Sequence, residues 1–246
     1  MQRIPAIAAI SAVALLLAVV YAMVSQERSP RVDDILTEGT KLYSQFDEEL
    51  IIRHFFHDRR GGYFVDVGAS EWQRNSTTYY LEKHLGWSGI ALDALPWLAD
   101  GYAKYRPRTK FFNYIVTDHS GTVETFYAAG EVSSTKKEHM EQFAGGESFT
   151  PQEIKVPTIT VNELLDQLEV TKIDFLSMDI EQGEPAALAG FDIERFRPDL
   201  VCIEAAVSVR PKLIEYFADH GYERIEEYLE YDKVNWYYRP KAVPEP

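Results

Sequence analysis

Gly62-Tyr63-Phe64-Val65-Asp66-Val67-Gly68-Ala69-Ser70 opens the stretch on which the fold turns, and Ser88-Gly89-Ile90-Ala91-Leu92-Asp93 closes it. Between these two apolar runs lie a polar loop to Ser76 and an amphipathic run to Gly86. Two buried strands flanking a helix make a strand–helix–strand unit. The first strand empties into a small-residue turn, and the second ends on a lone acid. A tight glycine turn ahead of a helix N-terminus presents backbone N–H groups to an anionic group. An acid about one such unit further on is placed to accept hydrogen bonds from a ribose diol. The pattern predicts a nucleoside-cofactor site.

The turn also says which nucleoside. A dinucleotide-binding turn needs G-x-G-x-x-G, so that a pyrophosphate can lie against bare backbone. Here only Gly68 falls in the turn, with Ser70 and Glu71 behind it. Asp66 and Glu71 would repel a pyrophosphate but suit an ammonium or sulfonium ion. S-adenosylmethionine (SAM) carries an amine, a carboxylate, a sulfonium and one ribose, and no phosphate. It fits this turn better than NAD does. A D-x-G triplet also occurs at ordinary strand-to-turn junctions, so the turn alone leaves a purely structural reading open.

The longer string is more specific. Phe64-Val-Asp-Val-Gly-Ala-Ser and Asn75-Ser-Thr-Thr-Tyr-Tyr-Leu-Glu-Lys-His-Leu-Gly-Trp-Ser-Gly-Ile-Ala-Leu-Asp93 resemble the FkbM-type family of SAM-dependent methyltransferases. The resemblance continues through Asn113-Tyr-Ile-Val-Thr-Asp118, Ser120-Gly121 and Val156-Pro-Thr-Ile-Thr-Val-Asn-Glu-Leu-Leu165. It closes with Ile173-Asp-Phe-Leu-Ser-Met-Asp-Ile-Glu-Gln-Gly-Glu184, Leu188-Ala-Gly190 and Arg197-Pro-Asp-Leu-Val-Cys-Ile-Glu204. It implies an α/β fold of class I, Rossmann-like: a doubly wound, seven-stranded, mostly parallel sheet over residues 59–240. It also implies SAM contacts from Asp66, Gly68, Ser70, Asn75, Ser76 and Asp93, with Asp118 beside the adenine amino group. The acceptors it suggests are hydroxyls of sugars, glycolipids or secondary metabolites. The chain departs from the family pattern at Ser70, where Asn is usual, and at Asp93-Ala94, where Glu-Pro is usual.

Bulk composition narrows the partners. A formal charge of −14 over 246 residues argues against a nucleic-acid surface, which needs clustered Lys and Arg. The single cysteine, Cys202, lies in an apolar run and allows no disulfide within the chain. Ile4 to Val24 is uncharged and longer than the roughly 18 apolar residues that span a bilayer. Residues 1–25 are therefore expected to form a single-pass transmembrane anchor, with a cleaved signal peptide as the alternative. Arg3 precedes the span, and Arg28 and Arg31 follow it, so charge does not choose a side. SAM is made in the cytosol, and on that ground the catalytic domain is placed there.

Residues 26–58 read as a linker followed by a helix from Asp33 to Arg53, with Ile35, Leu42, Phe46 and Leu50 along one face. His54 and His57 could bind a metal or simply pack. Pro96 begins a further helix with Leu98, Tyr102 and Tyr105 on one face, while Trp97 suits either an adenine cover or plain packing. Lys110 to Val116 predicts the third strand, and Thr122 to Tyr127 another. Ala128 to Glu153 is the least patterned region, read as a functional or mobile loop at the acceptor pocket. Thr160-Val-Asn-Glu163 is a capping box. Pro211 to His220 predicts a helix, Tyr222 to Ile225 and Asn235 to Tyr238 two edge strands, and residues 241–246 a disordered tail.

The chemistry is expected at the ends of two strands. Asp179, Glu181 and Glu184 follow the buried run Ile173 to Ile180, and Glu204 ends the run from Leu200. Ligands in open α/β sheets sit beyond the carboxyl ends of the strands, and the family's architecture sets these two strands side by side. Asp179, Glu204 and Glu181 are the candidate catalytic acids. Crowded carboxylates raise one another's pKa, so one of them could take a proton from an acceptor hydroxyl. The same acids could instead hold a hard divalent cation. Zinc is disfavoured, because no His or Cys spacing accompanies them. A module that binds SAM without turnover is the alternative from outside enzymology.

Overall fold

The computed structural model describes residues 32–129, 133–136 and 151–242. Among these no helix is long and apolar enough to cross a membrane. The expected anchor over residues 1–25, most of the loop and residues 243–246 lie outside the described residues.

Among the described residues ten strands form two sheets. Strands β1 (Tyr63–Val67), β2 (Ser88–Asp93), β3 (Thr109–Asn113), β7 (Phe175–Met178), β8 (Leu200–Glu204), β9 (Tyr222–Arg224) and β10 (Asn235–Pro240) make the large sheet. Its order is β3-β2-β1-β7-β8-β10-β9. All neighbours run parallel until β10, which pairs antiparallel with both β8 and β9. The chain starts at β1, builds outward through β2 and β3, and later returns to the other side of β1 with β7. The strand order therefore reverses between β1 and β7, and that reversal leaves a crevice at the carboxyl ends.

Alternation along the strands gives the sheet two buried faces. Val65, Val67, Ile90, Leu92, Leu176, Met178, Val201 and Ile203 share one core. It is covered by helices α5 (Val161–Gln167), α6 (Glu184–Ala189), α7 (Ile193–Phe196) and α8 (Arg210–Asp219). Phe64, Phe175, Leu200, Cys202 and Tyr237 face the other way, against α2 (Glu48–Phe56) and α3 (Tyr79–Leu85). Met178 and Cys202 are core residues, the latter a buried free thiol. At the far end of the sheet α4 (Ala99–Tyr105) follows a 3-10 turn over Pro96–Leu98, and Tyr102 packs with Ala69 and Ala91.

Several expectations are corrected. The helix expected over residues 33–53 is two: α1 (Val32–Glu38) and α2. Ile35 and Leu50 are buried, but Leu42 and Phe46 are 53% and 37% exposed. Between the helices, acids of α2 capture the backbone. The carboxylate of Glu49 accepts from the Leu42 and Tyr43 amides at 3.2 and 3.0 Å, and that of Glu48 from the Phe46 amide at 2.7 Å. Those bonds replace a continued helix ladder.

The third strand also ends early. β2 stops at Asp93, whose carbonyl takes a last bond from the Tyr114 amide at 3.2 Å, and no β2 residue continues the ladder beyond it. Ile115–Val116 instead forms β4, which joins β5 (Val123–Ala128) and β6 (Gln152–Ile159) in a small sheet ordered β4-β6-β5. The capping box is half formed. Thr160 Oγ1 accepts from the Glu163 amide at 3.1 Å, but the Thr160 amide donates to Ser120 Oγ at 2.9 Å. Of the expected tail, Lys241 is held by its amide, which donates to the Gly221 carbonyl at 2.8 Å. For His54 and His57 the contacts support the packing reading. His54 Nδ1 lies 2.8 Å from the Tyr228 hydroxyl, and His57 closes α2 in a left-handed conformation.

Candidate active site

The crevice at the β1/β7 reversal holds about 950 Å³ of open space, its mouth included. Val67, Gly68 and Ser70 from the end of β1 form one side, with Leu92, Asp93, Ala94 and Leu95 from β2 beside them. Asp179, Ile180, Glu181, Gln182, Gly183 and Ala186 come from the β7–α6 connection. The small sheet closes the outer wall with Tyr114, Ile115, Val116, Thr117, Glu124 and Phe126, joined by Ser133, Thr135 and Lys136.

Gly68 shows why the turn is built as it is. Its amide donates to the Leu92 carbonyl at 2.9 Å, and its φ is +80°, a conformation only glycine adopts without strain. A Cβ there would lie 1.7 Å from the Asp179 carbonyl oxygen. The turn and the β7 terminus can therefore touch backbone to backbone. Asp93 is fixed in the same region, its Oδ2 accepting from the Ser70 amide at 3.0 Å and its Oδ1 from the Leu95 amide at 2.9 Å. Burial pushes its pKa to about 6, opposed by those amides, so the group is mainly ionised at pH 7. Each carboxylate oxygen still has a lone pair for a diol hydroxyl.

The remaining cofactor candidates lie elsewhere. Asp66 and Ser76 do not line the crevice; they belong to a buried network under the turn. Asp66 Oδ2 accepts from Thr78 Oγ1 at 2.7 Å. Burial raises the Asp66 pKa to about 6, and the hydroxyl and the nearby Arg106 charge restrain the rise. Arg106, 1% exposed, donates to Glu82 at 2.6 Å, to the Trp72 carbonyl at 3.0 Å and to Ser76 Oγ at 3.4 Å. It also donates to Thr78 and Thr109 hydroxyls at 3.1 Å each. This arginine ties residues 72–78 to the sheet. In the sequence it stands between Tyr105 and Pro107 with no local pattern to mark it. Asn75 has φ +57° and bridges to Ser44. Asp118 is exposed, bonded to His119 Nδ1 at 2.7 Å, and it is the neighbouring Thr117 that reaches the crevice. Trp97 is half exposed and outside the crevice lining.

The acids at the other side do converge. Asp179, Glu184 and Glu204 each bring a carboxylate oxygen within 4.8 Å of the others. Glu181, the third catalytic candidate, lines the crevice beside them, and its place in the inner cluster is taken by Glu184. Glu184 is 0% exposed, and its Oε1 accepts from the Ile180 amide at 3.0 Å. Its position at the start of α6 made it look like an ordinary helix-end acid. Asp179 sits well above the ordinary carboxylate range, first because surrounding protein displaces water and then because Glu204 and Glu181 repel its charge. The aspartate is accessible from the open crevice, so water there softens the first effect. Glu204 is raised to about 8 by burial and by the charges of Glu184 and Glu181. Glu181 and Gln182 both take left-handed φ, at +54° and +70°. Their carbonyls accept from Ser134 Oγ at 3.4 Å and Lys136 Nζ at 2.9 Å, which hold this strained connection in place.

A seven-stranded sheet reversing at β1, with an antiparallel strand near its far edge, defines a Rossmann-like methyltransferase fold. The family described as the methyltransferase FkbM domain matches residues 66–224, well over half of the chain, and the chain belongs to this family of SAM-dependent methyltransferases. No curated protein matches the chain.

Solved structures with similar folds include a TehB-like SAM-dependent methyltransferase from Corynebacterium glutamicum ATCC 13032. It is 15% identical, with a TM-score of 0.46, and the match covers 90% of this chain and 100% of that one. An FkbM methyltransferase from Methylobacillus flagellatus KT is 11% identical, with a TM-score of 0.42, over 85% of this chain and 57% of its own. A SAM-dependent methyltransferase from Geobacter sulfurreducens, in complex with S-adenosyl-L-homocysteine, is 10% identical, with a TM-score of 0.40, over 83% and 78% of the two chains.

Proposed function

We propose that the chain transfers a methyl group from SAM to a hydroxyl of a sugar, glycolipid or secondary metabolite. The observation that carries this reading is one crevice with a clasped carboxylate, Asp93, at one side and an acid cluster headed by Asp179 at the other. The donor set fits SAM: bare backbone at Gly68, a diol acceptor at Asp93, apolar cover from Leu95, Ile115 and Phe126, and acids suited to a cationic ligand. When bound, SAM supplies an electrophilic methyl group on a positively charged sulfur. Asp93 would hold the ribose hydroxyls and the Gly68–Ser70 turn the methionine portion. Asp179, with Glu204 behind it, would receive the proton from the acceptor hydroxyl. Its raised proton affinity suits that task near neutral pH.

In this reading residues 1–25 anchor the chain to a membrane as a single span, with residues 59–240 on the cytosolic side, where SAM is made. The length of the uncharged run from Ile4 to Val24 supports the span. An anchored enzyme meets lipid-linked acceptors readily, and for that reason glycolipids stand among the candidates.

Calorimetry with SAM and with NADH, followed by incubation of methyl-labelled SAM with extracted glycans and lipids, tests the proposal. SAM binding, no NADH binding, and S-adenosylhomocysteine released with an oxygen-methylated product are expected. Absence of SAM binding refutes the proposal. Binding with no turnover on any acceptor leaves the module without catalysis as the better reading.

A further inference from the structure

Glu184 is unusual for a residue with no exposed surface. One of its carboxylate oxygens is bonded to the Ile180 amide, and the other, Oε2, is buried without a partner. Glu204 Oε2 is buried and unpartnered in the same way. Asp179 brings a third carboxylate to the same point, from the side open to the crevice. Among the described residues no Lys, Arg or His forms an ion pair with any of the three. A fully buried acid facing two further carboxylates without a counter-charge is unfavourable unless a shared proton or a cation sits among them.

We propose that Asp179, Glu184 and Glu204 form a divalent-cation site of the all-oxygen type, filled from the crevice. The donors are three carboxylates with no His or Cys, the set preferred by calcium, manganese and magnesium rather than zinc. A spread of up to 4.8 Å between ligand oxygens is about twice a metal–oxygen bond of roughly 2.3–2.6 Å, so the larger ions fit with little adjustment. Magnesium, with bonds of about 2.0–2.1 Å, would draw the carboxylates inward. The buried acid is braced by the Ile180 amide, so the site is partly oriented before any ion arrives.

Three protein ligands leave coordination positions open toward the crevice, where water or a substrate can enter. An acceptor with two neighbouring oxygens, such as a vicinal diol or an α-hydroxy carbonyl, would bind there in a chelate. This inference deepens the methyl-transfer reading and shifts its base: with Asp179 and Glu204 on the ion, the cation would polarise the acceptor hydroxyl and the crevice-lining Glu181 would receive its proton. Only that role rests on the methyl-transfer reading; the binding of the ion does not.

The test therefore reads the ion without the methyl donor. The full chain, stripped with EDTA, is titrated with Mn²⁺ at pH 7.5, and free Mn²⁺ is followed by electron paramagnetic resonance. One Mn²⁺ per chain with a sub-millimolar Kd is expected, displaced by Ca²⁺. Glu184→Gln keeps an oxygen for the Ile180 amide, and it and the half-buried Glu204→Gln should each weaken Mn²⁺ at least tenfold. Circular dichroism confirms that each variant is folded, and the Glu204 variant carries the test if the Glu184 variant is not. No Mn²⁺ bound at millimolar concentration overturns the proposal, as does binding equally tight in the folded variants. Failure of methyl transfer is read apart from this, by SAM calorimetry on the same stripped protein.

Discussion

Replacing Gly68 by alanine tests the joint between the glycine turn and the acid-bearing strand. Two costs add. A left-handed backbone with a Cβ costs about 1–2 kcal/mol. The new methyl would also stand 1.7 Å from the Asp179 carbonyl oxygen, a backbone atom that cannot swing aside. Forcing atoms into so tight a joint typically costs about 1–3 kcal/mol, giving roughly 2–5 kcal/mol in all. Gly61 supplies the control: its φ is +72°, but nothing lies within 4 Å of a Cβ built there. Gly61→Ala should lose about 1–2 kcal/mol from conformation alone. Urea unfolding of both variants measures the difference. For a chain of this size each kcal/mol moves the thermal midpoint by roughly 2–4 °C, so calorimetric scans give a second reading. Relief of the clash must also part the turn from β7, and SAM affinity should fall at least tenfold in Gly68→Ala but not in Gly61→Ala. Equal destabilisation of the two variants would refute the argument that backbone contact fixes this corner.

Asp93→Asn should weaken SAM about ten- to a hundredfold by calorimetry, through loss of a charge-assisted acceptor, with the fold retained; unchanged affinity would remove the ribose assignment. Asp179→Asn should leave SAM affinity within about threefold and lower turnover at least a hundredfold, in line with the usual yield of general-base catalysis. Arg106→Met should cost about 3–5 kcal/mol in urea unfolding, because it strands the buried Glu82 carboxylate. Glu48, buried and pushed to about 7 by burial first and Asp232 second, binds its proton more tightly folded than unfolded. Its contribution is therefore intact below about pH 4.5 and is lost as pH rises through about 7, a loss on the order of 3 kcal/mol. Glu48→Gln should raise the unfolding free energy in urea at pH 8 by about 1–3 kcal/mol and change it little at pH 4.5; a lower value at pH 8 would contradict the sign.

What could be read from the chain followed its periodicities. The continuous apolar runs around Asp66, Leu92, Leu176 and Cys202 marked the central strands, because residues buried on both faces leave few other choices. Gly68 and Asp93 were visible as a turn and a strand-ending acid, and the structure brings both to the crevice. Misreadings came where distant side chains override local pattern. The apolar spacing of Ile35, Leu42, Phe46 and Leu50 predicted one helix, yet Glu48 and Glu49 reach back to the intervening amides and break it. Ile115–Val116 looked continuous with β3 because nothing local announces that β2 has ended. Asp66 carried the aspect of a ligand-facing acid, but strand parity turns it toward Thr78 and Arg106. Glu184 was hidden for a different reason. An acid in the first turn of a helix is common, and only the fold reveals that this one points at Glu204 and Asp179.

The left-handed pair at Glu181 and Gln182 is gripped by Ser134 and Lys136, which lie almost fifty positions earlier in the chain and far from the parallel ladder. A change in that short clamp would therefore tilt the acids lining the crevice while the parallel ladder and the Gly68 turn keep their sequence, so the acid side of the crevice can be reshaped without touching the strands that carry it.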